Sequence, residues 1–295
     1  MNHKLSILYA ILAAVLYAIS TPLAKMLLIE LSPIFIASLL YLGAGIGMLI
    51  VWYIRHKKTI QTYKKFTKTE LPAILGMISL DIIAPIALLF GLNMSLPENV
   101  ALLNNFEIVA TSLFAFFLFK EAIPKRLRFA IVLVTLASVI LSVEDVAAFQ
   151  FSIGSLFVII AALSWGLENN FTRKLSYHDP LSVVIIKGIF SGLGSLAIAF
   201  FVGEVSSHLT YIFLTLFLGF VAYGFSIFLY VSAQRELGAA KTSAFYAFAP
   251  FVGAILSLLI FQEMPGYNFF IALVIMGIGS YFAATPGTKK VSNNT

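Results

Sequence analysis

The sequence predicts an all-α integral membrane protein: ten transmembrane helices arranged as two inverted five-helix repeats. Composition is the first reason. Of 295 residues, 60% are hydrophobic and only 11% are charged, against roughly 25% charged in soluble domains. The second is layout: ten apolar windows, each about 20 residues and so long enough to span a bilayer, are joined by short connections. The third is that motifs of the first five windows return in the second five.

In chain order the first window, 5–27, has a weak basic start (His3, Lys4) that could mimic a signal peptide. It lacks a cleavage motif and stays apolar through Leu23, so it reads as a helix. The second, 34–54, carries Gly43 and Gly47, a small-xxx-small pair suited to close packing. Asp81 and Pro85 interrupt the third, 71–93, and the fourth, 98–119, carries a polar stripe. The fifth, 127–144, opens beside Lys125, Arg126 and Arg128. The sixth, 152–172, ends beside Arg173 and Lys174. In the seventh, 181–203, Gly188 and Gly192 repeat the glycine seam, and Lys187 is expected to snorkel to water. The eighth spans 209–231, and the ninth, 239–261, puts Ser243, Tyr246, Ala247, Pro250, Gly253, Ala254 and Ser257 on a small, polar face. The tenth spans 267–284 and leaves a tail, 285–295.

The formal charge of +6 does not point to nucleic acid, because the basic residues lie between apolar runs rather than on one solvated face. They are one-sided with respect to the membrane. Alternate connections hold Arg55, Lys57, Lys58, Lys64, Lys65 and Lys68, then Lys120 to Arg128, then Arg173 and Lys174, then Arg235 and Lys241, with Lys4, Lys289 and Lys290 at the termini. The others hold Glu30, Glu98, Glu144, Asp145, Glu204, His208 and Glu263. Both termini are therefore expected in the cytoplasm and the chain in the cell membrane.

The repeat aligns Ala13 to Tyr17 and on to Lys25 with Ala161 to Trp165 and on to Arg173. Ser32-Pro33 aligns with Asp179-Pro180, and Leu118 to Glu121 with Ile260 to Glu263. The repeats are expected at 5–144 and 152–284. Five helices per copy is an odd number, so the second copy enters the membrane inverted, as in many secondary transporters.

On these residues, with Ser20-Thr21-Pro22-Leu23-Ala24-Lys25, Glu168-Asn169-Asn170-Phe171-Thr172-Arg173-Lys174, the Leu237-Gly238-Ala239-Ala240 entry to the ninth helix, and Ala249-Pro250 within it, the chain resembles the EamA-like branch of the drug/metabolite transporter superfamily. The resemblance covers nearly the whole chain. It implies export or exchange of small metabolites, amino acids among them, through a cavity lined by helices one, three, four, six, eight and nine. Ile108 stands where Pro250 stands in the second copy, so no proline predicts a bend in the fourth helix.

Asn104, Glu107 and Thr111 recur at i, i+3 and i+7 and fall on one stripe of the fourth helix. An acid at this depth points by default to a cavity or a partner, the plainer alternative being a tie between helices. Asp81 lies about 15 Å along the third helix. With Glu107 it could form a protonatable pair or an amine site, the alternative being a buried hydrogen-bonded group. Trp165 and Asn169 share a face of the sixth helix, as Tyr17 and Thr21 do on its repeat mate, and a pair of related aromatics suits a substrate sandwich, although membrane aromatics also mark interfaces. Tyr223 and Tyr246 complete the expected substrate-binding set.

No HExxH, GxSxG or GxxxxGK[ST] occurs, and the four histidines lie at helix ends or in loops, so hydrolase, metalloprotease and ATPase readings have no anchor. With no cysteine, thiol catalysis, cysteine-ligated zinc and iron–sulfur centres are excluded. No catalytic or metal residue and no cofactor is expected. The reading is a secondary active transporter, exporter or exchanger, of a small metabolite, foremost an amino acid or other amine-bearing solute. The alternative is an intramembrane enzyme or flippase acting on a lipid-linked substrate. The expected partners are a small-molecule substrate and the lipid bilayer, with protons as a coupling candidate; a monomer is compatible with the sequence.

Overall fold

The computed structural model describes residues 3–56, 66–120, 125–145, 150–237, 242, 246 and 248–284. Lys57, Lys58, Lys64, Lys65, Glu121, the Gly238 to Ala240 entry, Lys241, Ser243, Ala247 and the tail 285–295 with Lys289 and Lys290 lie outside the described residues.

Each expected window holds a helix among the described residues. Helices α1 (His3–Ala18) and α2 (Ser20–Leu27) make the first crossing, α3 (Pro33–His56) the second and α4 (Leu71–Met94) the third. Helices α5 (Pro97–Leu103) and α6 (Phe106–Phe119) share the fourth, and α7 (Lys125–Ser142) is the fifth. A short antiparallel ladder, β1 (Val143–Asp145) with β2 (Gln150–Phe151), links the copies. The second copy runs through α8 (Ile153–Leu175), α9 (Pro180–Val202), α10 (Leu209–Leu218) continued by a π turn into α11 (Ser226–Leu237), α12 (Ala249–Phe261) and α13 (Tyr267–Ala284). Seven of these crossings are long and apolar enough to span a bilayer by length and composition alone, while α12 and α13 are shorter apolar helices and α7 carries Lys125, Arg126 and Arg128 in its first turn.

Packing follows a pseudo-two-fold rule. α4 packs on α8 as α11 packs on α1, and α6 packs on α8 as α12 packs on α1, while α3 with α9, α7 with α13, and α5 with α12 meet their own repeat mates. Backbone proximity sets the α3–α9 crossing: a Cβ on Gly188 would lie 2.4 Å from the Gly45 nitrogen, closer than any real contact, so only glycine fits. The expected seams at Gly43, Gly47 and Gly192 are filled by Leu216, Phe220 and Leu42 in the same way.

Three helices depart from regularity where the interior is polar. Pro22 has no N–H for the Ala18 carbonyl, and the first crossing breaks at Ile19. The fourth crossing breaks at Asn104–Asn105, with Glu107 and Ile108 turning back onto the Asn104 and Asn105 carbonyls at 3.0 Å. This corrects the expectation of an unbroken stripe. No proline is needed, because two adjacent asparagines have low helix propensity and short polar side chains that compete for the backbone. The eighth crossing widens into a π turn over Gly219–Phe225, where Gly219 presses on the Leu40 carbonyl. Such turns rotate the following side chains out of α register and occur often at functional sites.

The described basic residues at helix ends, Arg55, Lys68, Lys120, Lys125, Arg126, Arg128, Arg173, Lys174 and Arg235, all fall at one end of the bundle, hereafter the basic face. Lys25 falls at the other. Its ammonium is satisfied internally, donating to the carbonyls of Leu92 at 2.6 Å and Ser95 at 2.9 Å where α4 ends, so it closes a helix C-terminus instead of adding a free charge to that face.

Candidate functional site

The polar residues of the interior meet between the copies. Asp81 on α4, Glu168 on α8 and Lys187 on α9 lie roughly 10–15 Å from the basic face by helical rise. Lys187 Nζ is 3.2 Å from Asp81 Oδ2 and 3.0 Å from Glu168 Oε1, and all three side chains are buried. Lys187 therefore does not snorkel. Two carboxylates hold it inside, which outweighs the reach of its stem towards water.

The network continues from both ends of this triad. The Tyr41 hydroxyl donates to Asp81 Oδ1 at 2.7 Å and accepts from Trp165 Nε1 at 3.3 Å, while the Thr172 hydroxyl donates to Glu168. Pro85, one turn after Asp81, supplies no N–H to the Asp81 carbonyl, as the sequence suggests. The expected pairing of Asp81 with Glu107 is absent among the described contacts. Glu107 instead accepts from Asn169 Nδ2 at 2.5 Å, and its charged neighbours are Glu168 and Lys187.

A cavity of about 50 Å³ lies against this network. Six aromatic side chains line it, Tyr17, Tyr41, Trp165, Tyr223, Tyr230 and Tyr246, and so do the charged groups Glu107, Glu168 and Lys187. The rings pack edge-on or tilted, with centroids 5.6 Å apart for Tyr17 and Tyr246, 5.7 Å for Tyr17 and Tyr223, and 6.4 Å for Tyr17 and Trp165. Their number around carboxylates makes a surface suited to a cation, since ring faces and acids both attract positive charge. The volume admits a few waters but not a metabolite, so cargo entry requires the helices to part.

Of the residues expected at the site, Tyr17, Glu107, Trp165, Asn169, Tyr223 and Tyr246 line the cavity. Asn104 and Thr111 stand behind it as supports: Asn104 Nδ2 donates to the Tyr17 hydroxyl at 3.3 Å, and Thr111 Oγ1 lies 3.4 Å from Asn169 Nδ2. Asp81 is wholly buried behind Lys187 and absent from the lining, so helix three contributes no described side chain to it. Helices two and seven do, through Tyr41 and Lys187. Sequence reasoning counts Glu168 with Asp81 and Glu107 among the interior acids that favour an ammonium-bearing solute but leaves it out of the binding set, and it passes over Tyr41, Lys187 and Tyr230 as lining groups. The available signal was that one intramembrane lysine and two acids sit at matched depths of three helices.

A ten-helix chain with two broken helices and a polar cavity between inverted halves has the architecture of a membrane transporter. Its sequence matches the profile of the EamA-like transporter family twice, over residues 4–143 and 152–285. The chain belongs to that family, within the drug/metabolite transporter superfamily. A protein described as an uncharacterized transporter of Methanothermobacter thermautotrophicus (strain Delta H) is 26% identical over 273 residues, which cover 86% of this chain and 78% of the relative. A solved crystal structure of a protein 15% identical in sequence superposes at a TM-score of 0.67, covering 96% of this chain and 98% of the other, and shows the shared fold. The chain is an integral, multi-pass membrane protein of transporter type, which implies a small-molecule substrate and a lipid surround.

Proposed function

We propose that the protein is a secondary active transporter, an exporter or exchanger, that moves a small amine-bearing metabolite, foremost an amino acid, by alternating access. The observation that carries this reading is the set of six aromatic rings around Glu107 and Glu168 in a mid-membrane cavity. The ammonium of the cargo binds Glu107 and Glu168, and its apolar part lies on Tyr17, Trp165, Tyr223 and Tyr246. Asn104, Thr111 and Asn169 position these groups, and Asp81 fixes the charge of the network. The halves 5–144 and 152–284 rock about the cavity, the protein acts as a monomer, and protons are the coupling ion.

The test is counterflow in proteoliposomes loaded in turn with L-phenylalanine, phenethylamine, glucose or uridine. Amine-bearing solutes exchange and the neutral ones do not; the reverse selectivity overturns the substrate class, and chemical conversion of the solute favours an intramembrane enzyme. An imposed pH gradient speeds flux if protons couple.

The basic face and both termini are cytoplasmic in this reading. Cysteines placed singly at Ser207 and Lys68, both exposed and at opposite ends of the bundle, test it in whole cells. Ser207→Cys reacts with an impermeant thiol reagent and Lys68→Cys does not; the opposite pattern inverts the topology.

A further inference from the structure

Lys187 is a puzzle for a cavity that takes a cation. Among the described lining residues it is the one cation, and it already holds Glu168, one of the two acids that a cargo ammonium would seek. A buried carboxylate that loses its partner is strongly destabilising. Asp81 and Glu168 are both buried, and apart from Lys187 their described side-chain partners are neutral hydroxyls, Tyr41 for Asp81 and Thr172 for Glu168. Glu107, the third acid, is held by the neutral amide of Asn169.

We propose that Lys187 is an internal counter-cation that takes the place of cargo whenever the cavity is empty, and so lets the unloaded carrier return across the membrane. The proposal rests on the reading above, a carrier of cationic groups working by alternating access. Glu168 and Lys187 both line the cavity, whereas Asp81 lies behind them. A cargo ammonium therefore competes with Lys187 at Glu168 alone, and the lysine retires to Asp81, which Tyr41 keeps in place from the other side. When cargo leaves, the ammonium swings back to bridge both acids. In either state the acids of the triad face one positive charge or more. A carrier without this lysine balances its acids only when loaded, so it can close around cargo but not around an empty cavity. The predicted behaviour is net flux with Lys187 and exchange alone without it.

The experiment compares net efflux of radiolabelled phenethylamine into plain buffer with its exchange against unlabelled phenethylamine, in the same proteoliposomes of the full chain. The readout is the ratio of the two rates, which a loss of folded protein does not change. Lys187→Met lowers the ratio at least tenfold and Lys187→Arg leaves it within about threefold of the parent. The double variant Asp81→Asn with Lys187→Met, which restores the parent's charge sum, recovers at least half of the ratio. A Lys187→Met ratio equal to the parent's, or a double variant no better than the single one, overturns the proposal.

A second measurement needs no cargo. The chain has no cysteine, so one placed at Ile227 on the cavity wall reports access from either side. In empty parent carrier it reacts with an impermeant maleimide in both right-side-out and inside-out membranes; with Lys187→Met the two rates differ at least tenfold. Equal rates in the variant overturn the role of Lys187. A parent that labels from both sides but moves no phenethylamine refutes the cargo class and leaves the lysine testable by labelling, while a parent that does neither overturns alternating access and the proposal together.

Discussion

The two copies build the same contact with opposite residues. The repeat alignment that pairs Ala13 with Ala161 also pairs Ala18 with Gly166, and the one that pairs Leu118 with Ile260 pairs Thr111 with Gly253. In the structure Gly166 faces Ala110 and Thr111, and Gly253 faces Ala18. In each copy the first helix meets the other copy's fourth helix through a glycine. In one contact the glycine comes from the first helix and in the other from the fourth. Fold symmetry has thus been kept while the sequence drifted, because what the fold requires is one missing side chain per contact and not its location.

The contacts are not equally tight. A Cβ on Gly166 would lie 2.4 Å from the Ala110 Cβ and 2.7 Å from the Thr111 nitrogen, so backbone must move. On Gly253 the nearest atoms are 3.2 and 3.3 Å away and need give only slightly. Gly166→Ala is therefore expected to destabilise by about 1–3 kcal/mol as an overpacked site and Gly253→Ala by about 1 kcal/mol or less. Thermal unfolding of the detergent-purified variants checks the order. Equal losses would mean that both seams relax alike, and the α6–α8 contact would lose its status as the rigid one.

The second comparison concerns charge, which is not symmetric at all. The first helix carries Tyr17 and no acid at the cavity, while its mate α8 carries Trp165 and Glu168, and Glu107 of α6 aligns with Ala249 of α12. The acids of the cavity lining therefore sit on the α6–α8 side. Glu107→Gln preserves the hydrogen bond from Asn169 in shape and removes the charge, and is expected to lower amine exchange at least tenfold with little effect on assembly. Ala249→Ser, at the repeat-equivalent position, is expected to stay within about twofold. Proteoliposome exchange measures both, and a Glu107→Gln rate equal to the parent's would show that the charge of Glu107 takes no part in binding.

These asymmetries mark the boundary of what the sequence made legible. The helices could be read because each must satisfy its own backbone in lipid and show an apolar surface, a constraint written locally in the chain. The repeat was read from local motifs too. Lys187 was misread because its two partners lie on helices distant in sequence, and its depth alone favoured a path to water. Asp81 was placed at the right depth but with the wrong partner, since a periodicity gives a face and not a neighbour. The break at Asn104–Asn105 was missed because the expected device was proline, although paired asparagines in an apolar run were in plain view. The π turn that presents Tyr223 depends on how closely Gly219 approaches α3 and leaves no local signature.

The smallest expected effects separate the repeat mates Tyr17 and Trp165, which meet in the cavity. Each makes one described side-chain hydrogen bond, Tyr17 as acceptor from Asn104 and Trp165 as donor to Tyr41, both at 3.3 Å. Those partners differ in consequence. Asn104 belongs to the break in the fourth crossing, while the Tyr41 hydroxyl donates a hydrogen bond to Asp81 and so ties Trp165 into the ion network. Tyr17→Phe keeps the ring and forfeits one bond of about 1 kcal/mol, for an exchange rate about fivefold lower at most. Trp165→Phe keeps an aromatic surface but leaves the Tyr41 oxygen without its donor, beside a buried acid, where hydrogen bonds to charged networks count for about 1.5–3 kcal/mol. Its loss should exceed that of Tyr17→Phe by several-fold. It should also fall mainly on the maximal rate, because Phe keeps a ring against the cargo while the lost bond acts through Tyr41, Asp81 and Lys187. A Trp165→Phe variant that differs from the parent only in apparent affinity would limit Trp165 to its contact with cargo and uncouple it from the triad.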